Sequence, residues 1–81
     1  MTGSSACPCC GLLTLERRGR HEICKVCFWE DDGPAERDPE SWGGGPNGVT
    51  LAEARRNFEA FGASEERLVQ FVRRPLAEEL P

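Results

Sequence analysis

Cys7-Pro8-Cys9-Cys10-Gly11 and Cys24-Lys25-Val26-Cys27-Phe28-Trp29 are the two stretches that decide how this chain folds. Each holds two cysteines with two residues between them, Cys7 with Cys10 and Cys24 with Cys27, and thirteen residues, positions 11 to 23, separate the pairs. Two intervening residues let a tight turn aim both sulfurs at one point, and a second turn brought alongside completes a tetrahedron of thiolates around zinc. In the first stretch Pro8 fixes a turn dihedral and Gly11 permits a positive φ, so backbone amides can point at the sulfurs. The spacing is that of a zinc ribbon and assigns Cys7, Cys10, Cys24 and Cys27 as ligands of one structural zinc ion per chain. Four thiolates leave no open coordination position, so such a centre holds the fold and does not act as a Lewis acid. Iron suits the same ligands, with zinc the expected occupant inside a cell.

The rest of the chain fits a metal-dependent fold. Its 81 residues allow one small domain and exclude a large enzyme scaffold. A core of that size is limited, and zinc binding can supply about 10 kcal/mol or more to folding. A disulfide framework is the competing use of cysteine, but five is an odd count. The opening Met1-Thr2-Gly3-Ser4-Ser5-Ala6 has no basic start and no apolar segment. The apolar runs are far too short for a membrane span. The expectation is a cytoplasmic protein, where reducing conditions keep thiols free to bind metal.

The expected fold class is small α+β: zinc-ribbon-like knuckles with a short β-hairpin, an acidic loop and two C-terminal helices. Within a single domain over residues 1–81, the ribbon covers 7–29, the acidic Gly/Pro loop 30–48 and the helical part 50–74. Leu12 to Leu15 and Ile23 to Phe28 are the apolar stretches expected to pair as the hairpin, with Gly19 in the turn between them. Residues 30 to 48 hold three prolines and five glycines and read as a loop, tethered by Trp42. Thr50 and Glu53 form a capping-box pattern ahead of the stripe Leu51, Ala54, Phe58 and Phe61, and Gly62 is placed to stop that helix. Ser64 reads as the cap of a second helix, with Glu65 and Glu66 in its first turn, Arg73 and Arg74 in its last and Pro75 beyond. No internal repeat is evident in the residues.

Charge narrows the range of partners. The net charge is −4, divided as +2 over residues 1 to 29, −5 over 30 to 48 and −1 over 49 to 81. An acidic chain is repelled by nucleic acid and by anionic membranes, so only Arg17, Arg18, Arg20 and Lys25 keep a nucleic-acid reading open. Glu30, Asp31 and Asp32 lack the alternating oxygen ligands of a calcium loop and are expected to be solvated. Phe28, Trp29 and Trp42 are expected to pack the ribbon onto the helices. Cys9, the fifth thiol, has three readings: a small partly buried residue beside the knuckle, an alternative fourth ligand, or a nucleophile with His21 as its base.

Four ordered blocks carry a resemblance to a known family. They are Cys7-Pro-Cys-Cys-Gly-Leu-Leu-Thr-Leu, Ile23-Cys-Lys-Val-Cys-Phe-Trp-Glu-Asp-Asp-Gly, Gly45-Pro-Asn-Gly-Val-Thr-Leu-Ala-Glu-Ala-Arg-Arg-Asn-Phe and Phe61-Gly-Ala-Ser-Glu-Glu-Arg. Together they resemble the bacterial cysteine-rich CPCC family from about Cys7 to about Pro75. The resemblance implies a small cytoplasmic zinc-binding protein of uncharacterised role, sometimes labelled a hydrolase. It places Asn47 and Gly48 just before a helix, where Asn47 is expected to pin the acidic loop. The leading expectation is a structural or protein-interaction module with a protein partner and no catalytic residues. A nucleic-acid-binding ribbon using the hairpin arginines and a thiol-dependent hydrolase using Cys9 are the alternatives.

Overall fold

The computed structural model describes residues 5–41 and 46–81. Its first element is built around the first cysteine pair. Strands β1 (Ser5–Ala6) and β2 (Leu13–Leu15) run antiparallel, with Ser5 opposite Leu15 and Ala6 opposite Leu13. Within the loop that they close, the Cys7 N–H donates to the Leu12 carbonyl at 2.9 Å and the Gly11 N–H to the Cys7 carbonyl at 2.8 Å. The second pair is closed by the same two bonds. The Cys24 N–H donates to the Trp29 carbonyl at 2.9 Å, the Phe28 N–H donates to the Cys24 carbonyl at 2.8 Å, and Ile23 bridges Glu30 just outside.

This arrangement corrects two sequence expectations. Leu12 to Leu15 does not pair with Ile23 to Phe28; each cysteine loop is closed by its own flanking residues instead. A knuckle needs a pairing partner immediately beside it, and that local closure wins over a longer hairpin. The two knuckles are also a repeat in backbone bonding, one that the side chains conceal. The residue after each second cysteine takes a left-handed backbone, Gly11 at φ 79° and Phe28 at φ 67°. Glycine adopts this at no steric cost, whereas a phenylalanine there is strained and must be held by its surroundings. The Phe28 ring lies 5.6 Å from that of Phe71, between centroids.

The acidic segment is anchored, not merely solvated. Asp31 is fully buried, and one of its carboxylate oxygens accepts the Arg18 guanidinium at 2.9 Å and the Gly19 N–H at 2.8 Å. The expectation of a solvated run therefore fails at Asp31, because a burial partner thirteen positions earlier neutralises it. Arg18 also pairs with Glu36. Asn47 binds both backbone groups of Glu30, accepting the N–H at 3.0 Å and donating to the carbonyl at 2.9 Å. It thereby pins the start of the acidic segment in the way a neighbouring strand would. The expectation that Trp42 tethers the loop falls outside the described residues.

Helix α1 (Leu51–Phe61) starts where Thr50 leaves extended backbone and its hydroxyl accepts the Glu53 N–H at 3.0 Å. It stops at Gly62, left-handed at φ 84°, whose N–H returns to the Phe58 carbonyl at 2.9 Å. Leu51 and Ala54 are its buried residues, against the cysteine loops. The second helix is a 3-10 segment over Glu66–Phe71, shorter than the sequence reading. Ser64 does not cap it: the N–H of Ser64 is bound by the Cys27 carbonyl at 2.8 Å and its buried hydroxyl finds no partner among the described residues. Drawing Ser64 onto the second knuckle moves the helix start to Glu65, in extended backbone. A last 3-10 turn, Ala77–Glu79, lies against β2. The core joins both halves through Cys7, Leu15, Cys24, Val26, Cys27, Trp29, Leu51 and Ala54. Burying Leu15 and Leu51 stabilises the fold by about 1.5–3 kcal/mol each.

Candidate metal centre

The two knuckles face one another, and all four expected cysteines lie where they meet. The sulfurs of Cys7, Cys10, Cys24 and Cys27 are all within 4.8 Å of one another. Across the knuckles, Cys7 Sγ is 3.6 Å from Cys27 Sγ, and Cys10 Sγ is 3.7 Å from Cys24 Sγ. No cysteine is in a disulfide. Cys7, Cys24 and Cys27 are buried and Cys10 is half-buried. Four thiol groups brought this close, none cross-linked, could hold a metal ion.

Their electrostatics without an ion follow from crowding. Four thiolates in contact would repel one another, so one sulfur takes the charge and its neighbours stay protonated and donate to it. Cys24 is that sulfur. Hydrogen bonds from Cys10, then Cys27 and Cys7, pull its pKa far below the usual thiol range, with Thr14 adding to the effect. The hydrogen bond to Cys24 is the largest cause holding the Cys10 thiol far above that range. Thr14, which extends from β2, donates its hydroxyl to Cys24 Sγ at 2.9 Å, and the Cys27 N–H reaches the same sulfur at 3.4 Å. Sequence reading missed Thr14; its place two residues after Leu12, the residue that closes the first knuckle, is the signal that could have found it.

The helical half is fastened to both knuckles through their backbone carbonyls. Arg55 of α1 donates to the Pro8 carbonyl at 2.9 Å. Ser64 binds the Cys27 carbonyl, and the Arg73 N–H reaches the Lys25 carbonyl at 3.3 Å. Asn57 of α1 donates to the Ser64 carbonyl at 2.9 Å, which closes the frame. The position of the sulfurs is thus set from both ends of the sequence.

A family comparison matches residues 5–79, a span that contains every feature just described. The chain belongs to the cysteine-rich CPCC family. A search of curated proteins found no match.

The remaining candidate residues are arranged differently. Cys9 is buried and lies outside the group of four, as a small core residue beside the knuckle would. His21 is exposed and its Nδ1 sits 3.2 Å from a Glu30 oxygen, so it is engaged elsewhere than at Cys9. Of the hairpin arginines, Arg18 is committed to Asp31 and Glu36, while Arg17 and Arg20 are exposed. Trp29 is buried in the core. No helix among the described residues is long and apolar enough to cross a membrane.

Proposed function

We propose that this chain is a zinc-binding protein in which one structural ion fixes a ribbon-like centre, and that the module so formed docks onto another protein. The convergence of the four cysteine sulfurs carries the reading. A tetrahedron with zinc–sulfur bonds of about 2.3 Å has edges of about 3.8 Å. The sulfur pairs across the knuckles, at 3.6 and 3.7 Å, lie close to that edge. An all-sulfur donor set is wrong for calcium or magnesium and suits zinc or iron, of which zinc is the usual occupant of such a site. With all four positions taken by protein sulfur, the ion's work is structural. Five free thiols suit a reducing compartment such as the cytoplasm.

The docking role is supported by apolar side chains and acidic charge that the fold leaves in solvent. Phe61 and Val69 are exposed, Phe71 is exposed on the side away from Phe28, and the stretch from 30 to 48 carries a net −5, of which Arg18 engages Asp31 and Glu36. Elemental analysis of protein purified under reducing conditions should give one zinc per chain. Chelation should then free four further thiols, bringing the titratable total with Cys9 to five, and collapse the N-terminal half. A fully folded, metal-free and cross-linked protein would overturn the metal assignment. For the docking role, Val69→Asp with Phe61→Asp should abolish co-purification of a specific partner while the zinc content stays at one; unchanged co-purification argues against that surface.

A further inference from the structure

The four ligands are not equivalent: access singles out Cys10, and hydrogen bonding singles out Cys24. Cys7, Cys24 and Cys27 are buried, and Cys10 alone of the four is open to solvent on one side. Cys24 receives the Thr14 hydroxyl at 2.9 Å and the Cys27 N–H at 3.4 Å, whereas among the described residues no O–H or N–H donor reaches the sulfurs of Cys7, Cys27 or Cys10, and of these three only Cys10 is not buried. A hydrogen bond to a metal-bound thiolate draws electron density from sulfur and makes it a weaker nucleophile, and burial keeps reagents away. Cys10 has neither protection.

We propose that Cys10 is the reactive ligand of the centre, the site at which soft electrophiles modify the protein and through which the metal is exchanged, while Cys24, held by Thr14, is the permanent anchor. The inference rests on the metal centre proposed above and adds an order to it. With an alkylating electrophile such as iodoacetamide, Cys10 Sγ attacks the methylene carbon, a carbon–sulfur bond forms and iodide leaves with the carbon–iodine bonding pair. The resulting thioether is neutral and a poor ligand. The centre loses one negative charge and one strong donor, and a coordination position opens on the solvent side for an incoming thiolate or chelator.

The test uses the metal-loaded wild-type chain, first shown by elemental analysis to hold one ion. Substoichiometric iodoacetamide is added under native conditions, tandem mass spectrometry assigns the modified cysteine, and a chromogenic chelator follows metal release. Cys10 should be modified first, and release should track its modification one for one. First modification at Cys9, Cys7, Cys24 or Cys27, or release that runs ahead of Cys10 modification, overturns the proposal. The anchor is tested with Thr14→Val and Thr14→Ser. The valine variant should lose metal about 10-fold faster or more, the scale of second-shell effects, and the serine variant should match wild type. Equal release from all three overturns the role of Thr14. A chain that holds no ion at the outset fails the metal reading itself, which keeps the two failures distinct.

Discussion

Replacing Glu79 by glutamine tests whether the C-terminal turn is clamped to the body of the protein by one buried carboxylate. Arg73 grips Glu79 with both terminal nitrogens, Nη1 at 2.8 Å and Nη2 at 2.7 Å, and the Leu76 N–H adds a third bond at 2.8 Å. The Arg73 guanidinium is the main cause that holds the Glu79 carboxyl down at about 2, against an ordinary 4.5. A difference of about 2.5 pH units corresponds to about 3 kcal/mol. The Glu79 side chain is 4% exposed but that of Arg73 is 37% exposed, so solvent screens the pair and about 1–2 kcal/mol is the expected coupling. The assay is a double-mutant cycle with Glu79→Gln and Arg73→Met, read by urea unfolding of the metal-loaded protein at neutral pH. The sign with pH follows from the depressed pKa: the contribution is complete above about pH 4.5 and fades as pH falls towards 2. The stability gap between wild type and Glu79→Gln should narrow over that window. A coupling energy below about 0.5 kcal/mol at neutral pH would refute the clamp.

Asp31→Asn removes the buried carboxylate that accepts Arg18 and the Gly19 N–H, while Arg18, partly exposed, keeps Glu36; it should cost about 1.5–3 kcal/mol in urea unfolding, with a value under about 0.5 kcal/mol showing that the charge is expendable. Gly48→Ala puts a Cβ 2.7 Å from Glu65 Oε1, displacing a carboxylate that accepts the Gly48 N–H and Arg67. It should lower the melting temperature, and Glu65→Ala in the same chain should cost less than it does in wild type; simple additivity of the two would dismiss the clash. Cys7 and Cys10 are held protonated in the metal-free centre, Cys7 chiefly by Cys10 and Cys10 chiefly by Cys24, so an incoming ion must displace protons. Chelator competition should therefore show metal affinity rising steadily from about pH 6 to about pH 8, and a flat profile would contradict protonated thiols.

The two cysteine pairs that cluster and helix α1 were legible in the residues because each is specified locally. Two cysteines two residues apart, a Thr50 cap and a Gly62 stop depend on neighbours a few positions away. What could not be read depends on partners distant in the chain. Asp31 looks like one more charge in an acidic loop until Arg18 and Gly19 are brought onto it. Ser64 has the chemistry of a helix cap, but the Cys27 carbonyl claims its backbone and shifts the helix. The strand pairing was misread for a related reason. Leu12 to Leu15 and Ile23 to Phe28 have the apolar character of paired strands, while Ser5 and Ala6, which β2 actually selects, carry no hydrophobic signal.

The left-handed backbone at Phe28 has a consequence for the order of assembly. That conformation is unfavourable in an unfolded chain and becomes fixed only when the Cys24 carbonyl captures the Phe28 amide, which requires the second cysteine loop to have closed. Its ring then stands where Phe71 meets it. The landing place for the C-terminal segment thus exists only while the second cysteine loop is closed, so the tail reports on the state of the knuckle that it covers.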